Sequence, residues 1–239
     1  MNQNYKILVA DDEVLWLNII KGVLEKNGYQ VFITANPYEV KQLVLTNNID
    51  LVLLDVNFPE INGLKICHNI KSDPETEGIV VIMLTSQDDP ADLKKGFDAG
   101  ANDYIEKHSS SLELLERMKS LLKARRENYS LVLYKKLFEN SPYAIMILKK
   151  DIINSINNKF MNILGHEKTD DLIDSNIESL IHEDEFEKFS IQLSTVSIEG
   201  QKHSFPYKFK CKDEQYLNLV VHMVRIGDQE VALYCNTFS

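Results

Sequence analysis

Up to about residue 107 the apolar positions fall in short unbroken runs, separated by stretches of helical periodicity. KILVA (6–10), QVFIT (30–34), LVLLD (51–55), IVVIMLT (79–85) and DYIEK (103–107) read as five strands. Residues 13–28, 37–46, 63–72 and 89–100 read as the helices between them. Gly28 and Gly100 stop the first and last of these, and Pro37 lies in the first turn of the second. Alternation of this kind predicts an α/β fold, a doubly wound five-stranded parallel sheet.

Residues 111–139 read as one long helix. Leu115, Met118, Leu122, Tyr129 and Val132 fall at coiled-coil spacing, and Arg125 interrupts that seam. The first half is expected to cover the sheet. The second half has no sheet left to cover and is expected to pair with another subunit. From about residue 140 the pattern changes to α+β with an antiparallel sheet: a hairpin (143–148 and 151–156), a short helix (157–165), a longer helix (183–200) and three strands (203–212, 215–226 and 230–238). The resulting division is 1–125, a helical linker over 126–139, and 140–239.

Composition narrows the class. The chain has 239 residues, enough for two domains, with 44% hydrophobic and 26% charged residues, as in soluble globular proteins. The N-terminus lacks the pattern of a secretory signal, and no apolar run approaches membrane-helix length. Three scattered cysteines, Cys67, Cys211 and Cys235, point to a reducing cytosol and exclude a disulfide framework or a CxxC metal site. A cytoplasmic location without membrane insertion is therefore expected. The net charge is −10; residues 108–140 carry 7 basic and 4 acidic side chains, whereas both flanking regions are acidic. No basic face or helix-turn-helix is seen, so direct DNA binding is not expected.

The candidate chemistry lies at the strand ends. The third strand runs straight into Asp55, and burying an unpaired carboxylate costs roughly several kcal/mol. The first strand ends in Asp11 and Asp12, the fourth in Thr85, the fifth just before Lys107. A parallel sheet brings all of these to one edge, where ligands gather. Three carboxylates there repel one another unless a cation intervenes, and an oxygen-only donor set suits Mg2+. A carboxylate held beside Mg2+ and an ammonium can attack phosphorus and become an acyl phosphate, with Thr85 donating to a phosphoryl oxygen. Singly, each residue has a plainer reading: a helix cap for Asp11 or Asp12, a turn residue for Asp55, a loop polar for Thr85, a surface charge for Lys107, packing for Tyr104. A phosphatase using a D-x-D pair is excluded, because Asp55-Val56-Asn57 lacks the second carboxylate.

The stretches ILVADDE, LVLLDVNFPEINGL, VIMLTS and GANDYIEK resemble the receiver domain of two-component response regulators, over residues 4–125. The resemblance implies a flavodoxin-like fold with Asp55 as phosphoacceptor. It further implies that Asp12 binds Mg2+ directly, Asp11 through water and Asn57 by its backbone carbonyl, with Asp55 completing the set. Thr85 and Tyr104 match the switch pair, Lys107 the family's ammonium, and Asn57 and Gln87 the positions that tune phosphoryl lifetime. One departure is His108, where receivers usually carry a cis proline. A non-proline cis bond costs about 2.5–4 kcal/mol, so a trans bond and a different loop are expected there.

LFENSPYAIMIL, IINSINNKFMNILGHEK and IESLIHEDEFEKF resemble a PAS domain, over residues 135–239. Such domains bind small molecules or act as dimerising relays. Its cofactor is not legible: His166 and His182 read as turn and capping residues rather than haem ligands, and Cys211 and Cys235 as packing. Ile145, Ile147, Phe160, Phe209, Val220 and Leu233 are expected to face one another in a filled core. Together these imply a phosphorylation-dependent signalling protein whose partners are a sensor histidine kinase or phosphotransfer protein and a second copy of itself. It would be no enzyme beyond Mg2+-dependent self-phosphorylation and self-dephosphorylation at Asp55. The alternative is the regulatory part of a larger enzyme, a hybrid histidine kinase or a diguanylate cyclase, since the chain ends on a strand.

Overall fold

The computed structural model describes residues 5–59, 61–85, 95–167, 172–196 and 203–237. It divides into two units, Met1–Ser130 and Leu131–Ser239. In the first, strands β1 (Lys6–Ala10), β2 (Gln30–Thr34), β3 (Leu51–Asp55), β4 (Val80–Thr85) and β5 (Asp103–Glu106) form one sheet in the order β2-β1-β3-β4-β5. Every pairing is parallel.

The sheet is buried on both faces because β3 and β4 carry apolar side chains at both parities. One face holds Leu8, Val52, Leu54, Val81 and Met83 against helices α2 (Val40–Asn47) and α3 (Gly63–Lys71). The other holds Ile7, Val9, Leu53, Ile82 and Leu84 against α1 (Val14–Lys26) and the first turns of α4 (Ser111–Glu139). Between β2 and α2, Pro37–Glu39 form a 3-10 turn capped by the Asn36 side chain. Of the expected helix over 89–100, only a helical turn at 95–98 and the positive-φ Gly100 belong to the described residues.

In the second unit β6 (Ala144–Lys149), β7 (Ile152–Ile156), β8 (His203–Lys210), β9 (Tyr216–Arg225) and β10 (Glu230–Thr237) form an antiparallel sheet in the order β7-β6-β10-β9-β8. Helices α5 (Asn158–Leu164) and α6 (Glu183–Thr195) pack on it, with a 3-10 turn at Ile177–Leu180 that periodicity did not reveal. The core gathers Met146, Leu148, Phe160, Phe189, Phe209 and Leu233. Two expectations need correcting. The core-facing residues of β6 are Ala144, Met146 and Leu148, so Ile145 and Ile147 lie on the opposite face, as does Val220 between the buried Leu219 and Val221. Both parities of β6 are apolar, so alternation alone did not choose between them. Helix α6 also ends at Thr195 instead of reaching Gly200. Val196 is extended, and its carbonyl accepts from Arg225 Nε at 2.6 Å.

Asn157 knots this unit together. Its fully buried amide accepts from the Ile145 and Phe160 backbone N–H groups and donates to the carbonyls of Phe138 and Tyr143, all at 2.9–3.0 Å. All four bonding positions of the amide are thus filled.

Candidate functional site

The strand order reverses between β1 and β3: the chain leaves β1 to one side for β2 and returns to the other for β3. Such a switch point opens a crevice outside the carboxyl ends of the strands. Asp11 and Asp12 follow β1 and Asp55 ends β3, so their carboxylates line this crevice from both sides. One oxygen from each lies within 4.8 Å of the others. Asp11 and Asp55 are buried and Asp12 is exposed, so the cluster has a floor and a rim.

Lys107 follows β5 and bridges the floor. Its Nζ lies 2.6 Å from Asp11 Oδ2 and 3.2 Å from Asp55 Oδ2. Its backbone N–H donates to the Thr85 carbonyl at 2.8 Å, which fixes where its side chain starts. Burial pushes the Asp11 and Asp55 carboxyls above the usual carboxylate range, against the pull of Lys107 and of the backbone amides of Glu13 and Asn57. Burial also works against the Lys107 ammonium, but its bonds and charges with Asp11 and Asp55 outweigh this and raise its pKa. One ammonium facing three carboxylates leaves negative charge uncompensated. The Asp55 Oδ1 atom is buried without a hydrogen-bond partner among the described residues. An unpaired buried oxygen in an all-oxygen acidic cluster is the donor set a hard divalent cation takes, so these residues fit Mg2+.

Several neighbours were not singled out from sequence. Gly63 opens α3 against the backbone of Asp55: a Cβ there would stand 1.9 Å from the Asp55 carbonyl oxygen, so only glycine permits this approach. Trp16 lies on α1 with its ring centroid 5.8 Å from Lys107 Nζ, a cation–π distance. Glu13 adds a further carboxylate 4.0 Å from the same ammonium. The D-D-E run signalled Glu13, whereas nothing in the spacing pointed to Trp16.

Thr85 is buried at the end of β4, one step beyond Leu84, the register partner of Asp55. Tyr104 lies on β5, 7% exposed and packed inward. A Cβ on Gly96 would stand 2.5 Å from its ring. Asn57 is exposed, and its backbone amide favours the charged form of Asp55. Gln87 lies outside the described residues. There are no cis peptides among the described residues, so the bond between Lys107 and His108 is trans. In the second unit His182 caps α6, its Nδ1 accepting from the Asp184 N–H at 3.3 Å. Cys235 is buried, its thiol pushed up to about 12, as packing requires.

A doubly wound parallel sheet with an acidic cluster and a lysine at its switch point, followed by a separate antiparallel α+β unit, defines a two-component signalling protein. Residues 7–119 match the response regulator receiver domain and residues 132–198 a PAS domain. The chain thus carries a response regulator receiver domain followed by a PAS domain. Over 118 residues it is 35% identical to Response regulator MprA of Mycobacterium sp. (strain KMS), an overlap of 49% of this chain and 50% of that protein. It thus spans about half the length of the curated relatives it matches. Among solved structures, a putative response regulator from Chloroflexus aurantiacus J-10-fl is 33% identical, with 51% of this chain and 99% of that one covered and a TM-score of 0.49. A receiver domain protein (CheY-like) from Methanospirillum hungatei JF-1 is 27% identical, with coverage of 53% and 99% and a TM-score of 0.50.

Proposed function

We propose that Asp55 accepts a phosphoryl group from a sensor histidine kinase or phosphotransfer protein. The observation that carries this reading is the buried Lys107 ammonium bridging Asp11 and Asp55. The bridge holds Asp55 at the crevice floor as a charged oxygen nucleophile. Lys107 then neutralises charge on the transferred phosphoryl oxygens, and the Thr85 hydroxyl donates to one of them. Mg2+ would be held by Asp11, Asp12 and Asp55 with the Asn57 backbone carbonyl, and when bound supplies further neutralisation of the phosphoryl charge. Thr85 and Tyr104 form the switch: the hydroxyl moves toward the phosphoryl group, and the ring reorients in the space beside Gly96.

The output travels along α4, which is one continuous helix from Ser111 to Glu139. Its last turns expose Tyr129, Leu131, Tyr134 and Leu137, each more than 60% accessible. A helix that is apolar on several faces is ordinarily buried, and a second copy of the chain supplies the cover. The functional division is a receiver over 1–125, a linker over 126–139 and a PAS relay over 140–239. The protein works in the cytoplasm; no helix among the described residues is long and apolar enough to cross a membrane.

Incubation with acetyl phosphate and Mg2+, followed by intact-mass measurement, tests the receiver chemistry. Wild type gains one phosphoryl mass and Asp55→Ala does not; equal uptake by both sinks the assignment. Sedimentation of the two proteins in the same mixture tests the relay, and a mass that never exceeds the monomer at high concentration counts against it.

A further inference from the structure

The Lys107 ammonium is held firmly by carboxylates and only loosely by packing. Asp11 Oδ2 at 2.6 Å and Asp55 Oδ2 at 3.2 Å meet two of its three N–H donors. Glu13 Oε1, at 4.0 Å, lies beyond hydrogen-bond reach on a side chain that is 66% exposed. Lys107 also lines a cavity of about 150 Å³, shared with Trp16, Ile20, Leu84, Ile105 and Leu114, so close packing does not fix its four-carbon stem there. The remaining contact is the Trp16 indole, whose ring centroid stands 5.8 Å from Nζ. That ring is well placed. Trp16 lies in the first turn of α1, where the Glu13 N–H donates to Asp11 Oδ1 at 2.9 Å and the Leu17 N–H to the Glu13 carbonyl at 3.0 Å. Asp11 thus ties down the start of α1 with one oxygen and Lys107 with the other. The half-buried indole packs against the core cluster that includes Leu17, Ile20 and Leu84.

We propose that Trp16 is a positioning residue for phosphoryl transfer, its π face anchoring the Lys107 ammonium while the carboxylates that hold it at rest are drawn into the reaction. The inference rests on the reading of Asp55 as phosphoacceptor. At rest Asp11, Asp55 and the indole share the ammonium. In the transfer an Asp55 oxygen bonds to phosphorus as the bond from phosphorus to the donor breaks, and the electron pair of that bond leaves with the donor. Asp55 then no longer offers Lys107 a full carboxylate charge, and Asp11 belongs to the cluster that fits a divalent cation. The ammonium has to pass from these carboxylates to the phosphoryl oxygens, and the indole is the contact that the reaction leaves in place throughout. A flexible ammonium already held within reach costs less to position when the phosphoryl charge develops. An aliphatic side chain at position 16 packs on the same core, but only an aromatic ring attracts a cation through its quadrupole. The separation is near the outer limit of about 6 Å for such a contact. Against that, the Lys107 side chain is only 8% exposed, and desolvation strengthens the attraction.

The test exploits the chain's single tryptophan. Incorporating mono- and difluorotryptophan in its place withdraws π density at position 16 alone, at nearly constant shape. Phosphoryl uptake by the full chain from acetyl phosphate with saturating Mg2+, followed by intact mass, is expected to slow with each added fluorine. Trp16→Leu, which keeps apolar bulk without a π face, is expected to slow uptake about fivefold, and Trp16→Phe to fall between Trp16→Leu and wild type. In the metal-free chain the ring current of Trp16 should hold the Lys107 ε-methylene protons upfield of those of an exposed lysine, and Trp16→Leu should return them toward that position, read by NMR. A Trp16 that only packs gives rates indifferent to fluorination and equal rates in Trp16→Leu and Trp16→Phe. Either result overturns the proposal, as does a wild-type Lys107 signal without the ring-current shift. Failure of the underlying reading looks different: wild type then gains no phosphoryl mass although the ring-current shift is present, and the proposal falls with it.

Discussion

Arg125 on α4 reaches across to Asp50, its Nη1 lying 2.5 Å from Asp50 Oδ1 while its Nε donates to the Gly78 carbonyl at 2.8 Å. The other oxygen of Asp50 accepts from the Lys6 N–H at 2.9 Å. One carboxylate thus ties α4 to the amino-terminal edge of β1 and β3, the edge opposite the candidate site. This explains the charged residue in the coiled-coil seam. The seam up to Leu122 packs on the sheet, Arg125 ends that contact with an ion pair, and Tyr129 and Val132 emerge into solvent.

Arg125→Ala should therefore loosen the receiver end of α4. Loss of a half-buried charge-assisted pair costs about 1–2 kcal/mol. In a unit of this size that lowers the melting temperature by roughly 3–6 °C, measurable by circular dichroism. A variant melting with wild type would mean that the pair contributes nothing net.

How much of this was legible in the sequence depended on which signals were redundant. β1, β2 and β3 have the bounds their apolar runs give, because each run is flanked by polar or turn residues. The convergence of Asp11, Asp12 and Asp55 follows from strand parallelism, since side chains at the carboxyl ends of parallel strands share one edge. The inner face of β6 was misassigned because Ala144 to Leu148 are apolar at every position, so burial was decided by where Phe160 and Leu164 pack. The contact of Trp16 with Lys107 joins α1 to the end of β5, and no local pattern encodes an approach between elements so far apart in sequence.

That contact makes the chain's single tryptophan a reporter of the site. Lys107 Nζ is shared between Asp11, Asp55 and the Trp16 ring. A divalent ion at the carboxylates, or a phosphoryl group on Asp55, redraws that sharing and changes the charge above the indole. Mg2+ titration should therefore change Trp16 fluorescence saturably in wild type and much less in Asp55→Asn. An identical response in both proteins would place the ion elsewhere.

The raised carboxyl groups of Asp11 and Asp55 set a pH dependence whose sign follows from linkage. A folded-state pKa above the unfolded value contributes stability that is present in full below the unfolded value, near 3.9 for aspartate. That contribution is lost as pH rises through the raised folded value, so both groups oppose folding at neutral pH in metal-free protein. The Lys107 pKa is also raised, and its contribution stays intact across this window. Metal-free Asp55→Asn should accordingly melt above wild type at pH 7.5, with the gap closing as pH falls toward 5. Added Mg2+ should raise the wild-type midpoint more than the variant's. Asp55→Asn melting below wild type at pH 7.5 without metal would contradict this account.

The Asn157 knot gives the PAS unit a single point of failure. Its amide is fully buried and carries four hydrogen bonds, two of them to the Phe138 and Tyr143 carbonyls that lead from α4 into β6. Asn157→Leu keeps the approximate volume but strands the buried Phe160 N–H together with the part-buried Ile145 N–H and the Phe138 and Tyr143 carbonyls. Each stranded buried polar group costs about 1–3 kcal/mol before relaxation. Asn157→Asp keeps the two accepting bonds, to the Ile145 and Phe160 amides, but puts carboxylate oxygen against the Phe138 and Tyr143 carbonyls. Both variants should therefore lose the second unit's unfolding transition while the receiver's persists, seen as one missing step in a calorimetric scan. Phosphoryl uptake at Asp55 is the control, since it belongs to the other unit and should remain near wild type in both. A variant that keeps both transitions at wild-type temperatures would show that the neighbouring backbone finds other partners at little cost.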